Sequence, residues 1–283
     1  MTISVIIPTL NAGDNIEHLL SRLSSQDMNP VETIIIDSSS DDNTVETAER
    51  LGAKTIVIPR TSFNHGKTRN AAAAEAGGDI LVFMTQDALP CNNALLRNLT
   101  APLRSGEVAA AYGRHVARPD ASPPEIFARQ FNYPDSPITK SLDDIARYGI
   151  KTFFFSDVCS SVRKDAFLEA GMFPEGIRAN EDMLLAARLV VNGHKIAYVP
   201  GAMVVHSHSY SLFRLFIRYY NIGSSLRSNR WLLQYGRSEG EGLRFMKEEF
   251  LFLLKRREYC WIPYLLFEIA AKYAGYRMGL IAG

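Results

Sequence analysis

Cysteine is scarce in this chain. Only Cys91, Cys159 and Cys260 occur, far apart and without a C-x-x-C spacing. That pattern excludes a disulfide framework or structural zinc cluster and fits a reducing, cytoplasmic compartment. An excess of one charge is also lacking, with 31 Lys+Arg against 30 Asp+Glu in 283 residues. A net charge of +1 gives no electrostatic case for a nucleic-acid partner. No uncharged apolar run approaches the roughly 20 residues that span a bilayer. The N-terminus has no cationic region, and its first apolar run stops at Pro8, so no secretory leader is expected. Glycine is missing where a dinucleotide-binding turn needs it, because only Gly13 follows the first apolar run. A nicotinamide oxidoreductase is therefore not expected. The stretch 236–240 reads G-x-S-x-G, but no histidine follows it, so a nucleophile elbow is not expected either.

What is present is an ordinary globular mixture, 47% hydrophobic and 22% charged. Apolar runs at 3–7, 33–36, 55–58 and 80–84 read as strands. The segments 15–23, 42–51 and 67–76 between them carry helical spacing. This β-α-β alternation predicts an α/β fold with a mostly parallel sheet in the first half, helices covering both faces. Further on, 118–137 holds five of the 13 prolines and reads as a loop with one short helix. Residues 153–162 read as a strand, 180–191 as a helix, and 195–199 and 202–206 as two short strands. From 212 onward the pattern is helical. The chain thus divides into 1–209 and a helical extension, 210–283. The extension carries 12 Lys+Arg against 6 Asp+Glu, a net +6, and the rest of the chain carries −5.

In open α/β sheets ligands gather at the carboxyl ends of the strands. The first strand ends in Pro8-Thr9-Leu10-Asn11, the second in Asp37-Ser38-Ser39-Ser40-Asp41-Asp42. A carboxylate among small hydroxyl residues there can accept a nucleobase N–H; Asp41 and Asp42 can equally open the following helix. Lys67 and Arg69 put two cations at a helix start, where the dipole disfavours them unless an anion such as phosphate is near. Asp87 follows the fourth strand and suits a divalent ion bridging phosphates. His206 and His208 alternate after a later strand and so face one way, as a metal pair or a surface pair. Glu181 and Asp182 open the 180–191 helix, either as caps or with one as general base to an alcohol.

In this order and at these spacings, the residues over roughly 2–210 resemble the family-2 glycosyltransferases. The stretches 155–163 and 164–173, leading to Pro174-Glu175, resemble that family's acceptor-side segment. The resemblance implies a GT-A fold, a Rossmann-like nucleotide-binding mixed sheet flanked by helices. It implies a nucleotide-sugar pocket of Pro8, Thr9, Asn11, Asp37, Ser38, Asp41, Lys67, Arg69, Thr85, Gln86 and Asp87, with Asp37 on a pyrimidine base. It implies a Mg2+ or Mn2+ ion on Asp87 and His206, His208 being the second choice. Asp182 then serves as catalytic base beside Glu181, in an inverting, metal-dependent transfer. One departure stands out: Thr85 replaces the first Asp of the family's D-x-D. Thr-Gln-Asp-Ala at this place, with His206-Ser-His-Ser-Tyr-Ser-Leu later, resembles the bacterial rhamnosyltransferases. This implies dTDP-L-rhamnose as donor and a glycan or lipid-linked acceptor of cell-surface polysaccharide synthesis. A UDP-sugar or GDP-mannose donor, or a non-catalytic nucleotide-sugar-binding protein, is the alternative. The glycine-rich basic loop that would favour a nucleotidyltransferase is missing after the first strand, so that class is not expected. For 210–283, helix packing or a homodimer contact stands against peripheral attachment to the inner face of the cytoplasmic membrane, for which the basic, aromatic-rich composition is suited.

Overall fold

The computed structural model describes residues 1–208, 210–236 and 239–282. The first half follows the alternation: β1 (Ile3–Thr9), α1 (Gly13–Ser24), β2 (Glu32–Asp37), α2 (Thr44–Arg50), β3 (Lys54–Val57), α3 (His65–Ala74) and β4 (Ile80–Met84). These strands lie side by side in the order β3-β2-β1-β4, every pair parallel. β1, β2 and β4 are covered on both faces, which is why each is a nearly unbroken apolar run. Side chains alternate between two cores. Ile6, Ile34, Ile36 and Phe83 face one core, and Val5, Ile7, Ile35 and Val82 face the other. On α1, Ile16, Leu19, Leu20 and Leu23 fill the second core, as the helical spacing demands.

The second half comprises β5 (Leu89–Pro90), α4 (Leu95–Thr100), β6 (Val108–Val116), α5 (Pro123–Asn132), β7 (Ile138–Lys140), α6 (Ile145–Tyr148) and β8 (Cys159–Arg163). It continues with α7 (Lys164–Glu169), α8 (Glu181–Val191), β9 (Lys195–Val205), α9 (Leu212–Ser228), α10 (Glu239–Lys255) and α11 (Ile262–Ala282). Here the sheet turns mixed. β8 is antiparallel to both β4 and β6, β6 is parallel to β9, and β5 and β7 are antiparallel to β9. The full order is β3-β2-β1-β4-β8-β6-β9-β5, with β7 paired to β9.

Three expectations need correction. The strand expected over 153–162 begins only at Cys159, because 149–153 is a 3-10 turn. Phe153 and Phe155 are buried from that turn and the loop after it, so their apolar density mimics a strand. The two strands expected over 195–206 are one strand, Lys195–Val205. Its register to β6 jumps from Gly113↔Val199 to Arg114↔Met203, a bulge that accommodates Pro200 and Gly201. β6 itself was not expected at all. Its Ala109-Ala110-Ala111 core has low strand propensity, yet every residue of Val108–Gly113 is buried between β8 and β9.

In the extension, α9 and α11 pack backbone to backbone. A Cβ on Gly275 would lie 2.3 Å from the Phe216 carbonyl oxygen, and one on Gly223 would lie 2.3 Å from that of Tyr276. Leu226 and Leu232 join the first core, and Phe245 and Phe252 of α10 pack edge-on and tilted against Phe127 of α5. Among the described residues, no helix is long and apolar enough to cross a membrane. Arg237 and Ser238 of the G-x-S-x-G match lie outside the described residues.

Candidate active site

Because β1, β2 and β4 are parallel, Thr9, Asp37 and Met84 end on one edge of the sheet. Thr9 and Asp37 are direct register partners. Asp37 is fully buried there. Its carboxylate accepts from the Thr9 hydroxyl at 2.8 Å, the Ser40 hydroxyl at 2.6 Å and the Ser40 amide at 2.7 Å. These bonds lock the turns after β1 and β2 together. Asn11, at φ +49°, extends the lock by accepting the Asp41 amide through Oδ1 at 2.9 Å. The side chain of Ser38 is different, since its hydroxyl is buried with no hydrogen-bond partner. Asp41 is exposed and pairs with Arg60 at 2.7 Å. Gln86, after β4, clasps the β1 turn in both directions: its Oε1 accepts the Leu10 amide at 2.8 Å and its Nε2 donates to the Leu10 carbonyl at 3.1 Å. The strand-end residues from Thr9 to Gln86 thus form one braced floor.

Beside this floor, Asp87 meets two imidazoles. His206 Nδ1 lies 3.3 Å from its Oδ1, and His208 Nε2 lies 3.4 Å from its Oδ2. The three donor atoms fall within 4.8 Å of one another, close enough to share one cation. His206 Nδ1 is buried, with the Asp87 carboxylate as its neighbour, which suits a metal-ligating nitrogen. One carboxylate and two imidazoles suit a borderline divalent ion such as Mn2+. Burial alone would raise the Asp87 pKa. Contact with His206, the Thr85 hydroxyl and the charge of His208 outweigh it and hold the carboxyl well below its usual range. The histidine segment is itself held by α5: Glu125 accepts from the Ser207 hydroxyl at 2.6 Å and from the His208 amide, and Arg129 donates to the His206 carbonyl at 3.0 Å. Glu125 and Arg129 were not singled out in the sequence, where they sit in an ordinary i, i+4 pair.

A second acidic cluster forms where α3 meets the start of α8. Asn64 caps α3 by accepting the Lys67 amide at 3.1 Å. Arg69, one turn on, is only 2% exposed. Its guanidinium lies 3.2 Å from Asp157 and 3.7 Å from Glu181, and it donates to the His65 carbonyl at 3.0 Å. The anion that this cation requires is therefore supplied from within, while Lys67 remains exposed. Asp182 is half-buried next to Glu181, and its Oδ1 accepts the Met183 amide at 2.7 Å. Burial, then the neighbouring charge of Asp157, lift Asp182 to about 7. Burial and the charges of Asp157 and Asp182 lift Glu181 to about 8. Such values keep a proton within reach at neutral pH. Asp157 escaped the sequence reading because it follows the Phe153–Phe155 run, whose bulk pointed to core.

Two carboxylate groups of opposite character thus stand near the strand ends, and the relatives of the chain say to which family it belongs. The model of the family "Glycosyl transferase family 2" matches residues 4–171. The chain belongs to that family. Over 282 residues it is 39% identical to the O-antigen chain rhamnosyltransferase RfbN of Salmonella typhimurium, covering 99% of this chain and 90% of that one. It is 41% identical to the O-antigen chain rhamnosyltransferase WbaN of Salmonella anatum, covering 98% and 88%. Among solved structures, the mannosyltransferase PcManGT of Pyrobaculum calidifontis, in complex with GDP-Man and Mn2+, superposes with a TM-score of 0.64 at 17% identity, covering 99% of this chain and 87% of that one. That likeness concerns the fold, a curled mixed sheet of the GT-A kind with helices following it. This protein is accordingly a glycosyltransferase, and the strand ends near Asp87 and Asp182 are where its chemistry is sought.

Proposed function

We propose that this glycosyltransferase moves L-rhamnose from dTDP-L-rhamnose to a hydroxyl of a glycan or lipid-linked acceptor in bacterial cell-surface polysaccharide synthesis, inverting the anomeric carbon. The observation that carries the reading is the division of the carboxylates. Asp87 lies 3.3 and 3.4 Å from two imidazole nitrogens, and Asp182 sits half-buried at the start of α8, where burial and the charge of Asp157 raise its pKa. A leaving diphosphate needs the first kind of site, and an alcohol losing its proton needs the second. The rhamnose assignment is supported by the two Salmonella relatives, which share nearly the whole chain.

In the proposed reaction the acceptor oxygen bonds to the anomeric carbon as the bond from that carbon to the diphosphate oxygen breaks. The electron pair leaves with the nucleoside diphosphate, and the hydroxyl proton passes to Asp182. One displacement gives inversion. Burial raises Glu181 as well, which limits the negative charge gathered beside the base. Arg69 holds the acids in place. Pro8, Thr9, Asn11, Asp37, Ser38, Asp41 and Gln86 are assigned to the nucleotide, with Asp37 bracing the pocket and the unpaired Ser38 hydroxyl facing the base. Lys67 is assigned to the diphosphate. Asp87 and His206, with His208 as a third donor, would hold a Mg2+ or Mn2+ ion, which would supply positive charge for the leaving diphosphate.

Residues 1–209 are proposed as the catalytic unit, and 210–283 as a peripheral contact with the inner face of the cytoplasmic membrane. Phe213, Phe250, Leu251, Leu266 and Phe267 are exposed on that extension. Flotation with anionic vesicles at low salt tests the contact, and sedimentation tests a homodimer over the same surface. A thermal-shift screen of dTDP-L-rhamnose, UDP-sugars and GDP-mannose with and without Mn2+ tests the donor. A metal-dependent shift with dTDP-L-rhamnose is expected. A shift with another nucleotide alone would replace the donor.

A further inference from the structure

A cavity of about 460 Å³ opens between the start of α9 and the turn that precedes α8. Arg178, Arg214 and Arg218 line it together with Tyr210, Phe213 and Ile217. On α9, Arg214 and Arg218 are one turn apart, and so are Phe213 and Ile217. The helix therefore presents a cationic row and an apolar row side by side. Among the described residues, no carboxylate lies within ion-pair distance of any of the three guanidinium groups. Arg218 meets Tyr210, its nitrogen 3.5 Å from the hydroxyl and its guanidinium carbon 5.7 Å from the ring centre, and its charge also acts on His65 and His208. The three cations are exposed around this open cavity and repel each other, though solvent screens the repulsion. Arg214 in the first turn of α9 also opposes the helix dipole. An anion in the cavity would relieve both.

The cavity touches both sides of the reaction centre. The Tyr210 ring lies 5.2 Å from His208, and Ala179 in the cavity wall directly precedes the Asn180 that caps the helix of Asp182. On the proposed reading the donor diphosphate would be held by Lys67 and by a cation on Asp87 and the histidines. A sugar alone makes no use of three guanidinium groups, and a nucleotide makes no use of Phe213, which is 72% exposed at the rim. A phosphate ester of a long-chain alcohol uses both rows, since guanidinium forks match phosphate oxygens.

We propose that this cavity binds the phosphate or diphosphate of an amphiphilic acceptor, whose apolar chain lies along Phe213 and Ile217 and whose glycan reaches Asp182. The assignment rests on the reading of Asp182 as the base of the transferase. Isothermal titration of the full-length protein with decyl phosphate, inorganic phosphate, decyl maltoside and dTDP plus Mn2+ tests it. Decyl phosphate is expected to bind more tightly than inorganic phosphate or decyl maltoside. Arg178→Gln and Arg214→Gln should each weaken decyl phosphate about tenfold and leave dTDP–Mn2+ binding within about twofold. Phe213→Ser should weaken decyl phosphate and not inorganic phosphate. If the arginine variants weaken dTDP–Mn2+ and spare decyl phosphate, the cavity belongs to the donor and the proposal fails. It fails equally if wild-type protein binds dTDP–Mn2+ but not decyl phosphate, or if the variants bind decyl phosphate like wild type. Absence of any dTDP binding by wild type would instead overturn the transferase reading, and the acceptor assignment with it.

Discussion

Replacing Asp182 by Asn should separate activity from stability. The carboxyl is raised to about 7 by burial and by the charge of Asp157. As general base it must be ionised, so wild-type turnover should rise about tenfold per pH unit below 7 and level off above it. The amide cannot take the proton. Losing a positioned base costs about 10²- to 10⁴-fold in rate, or roughly 3–5 kcal/mol of transition-state stabilisation. The residual rate should lose its inflection near 7. Stability should move the other way. A carboxyl whose pKa is raised on folding carries no penalty below its unfolded value, and a full one above its folded value. Wild type should therefore lose stability between about pH 4 and pH 8, and Asp182→Asn should lose less of it. Each unit of raised pKa corresponds to about 1.4 kcal/mol, so the gain at pH 8 is on the order of 1–4 kcal/mol, shared with the interacting Glu181. Initial rates from pH 5.5 to 9 and thermal melts at pH 5 and pH 8 read both effects. Undiminished transfer by the variant, or a wild-type rate that does not change through pH 7, would refute the reasoning.

Asp87→Ala and His206→Ala should each abolish the Mn2+-dependent part of dTDP binding in calorimetry, while melting temperatures stay near wild type. Glu125→Ala removes the acceptor that anchors Ser207 and His208 and should weaken Mn2+ affinity by about 10- to 100-fold, as loss of a ligand-orienting partner does; titration of the metal alone checks it. Gly275→Val drives a side chain into the Phe216 carbonyl oxygen, 2.3 Å from the new Cβ, and should cost about 1–3 kcal/mol or more by denaturant unfolding. A Gly240→Ala control, with no atom within 4 Å of its Cβ position, should cost nothing comparable.

The parallel half of the fold was legible because its strands are buried on both faces and its helices have one apolar face each, so run length and spacing report them directly. β6 was hidden by its alanines, whose burial depends on neighbours that arrive from β8 and β9. The boundaries around 153–162 blurred because aromatic residues fill the core from a turn as readily as from a strand. Within the candidate site, Asp87, His206 and Asp182 could be named from their order after the strands. His208 was ranked second, yet it meets Asp87 almost as closely as His206 does. The company of Arg69 could not be read, because Asp157 lies 88 positions further on and only the fold of β8 beside β4 brings it near. For the same reason the arginine-lined cavity, built from Arg178 and α9, has no linear signature.

The most direct test is transfer from dTDP-L-rhamnose, run beside UDP-sugars and GDP-mannose, with the anomeric configuration of the product read by nuclear magnetic resonance. A rhamnosylated product of configuration opposite to the donor, formed by wild type and not by Asp182→Asn, is the expected result. Retention of configuration, or transfer from another donor with none from dTDP-L-rhamnose, would contradict the proposal.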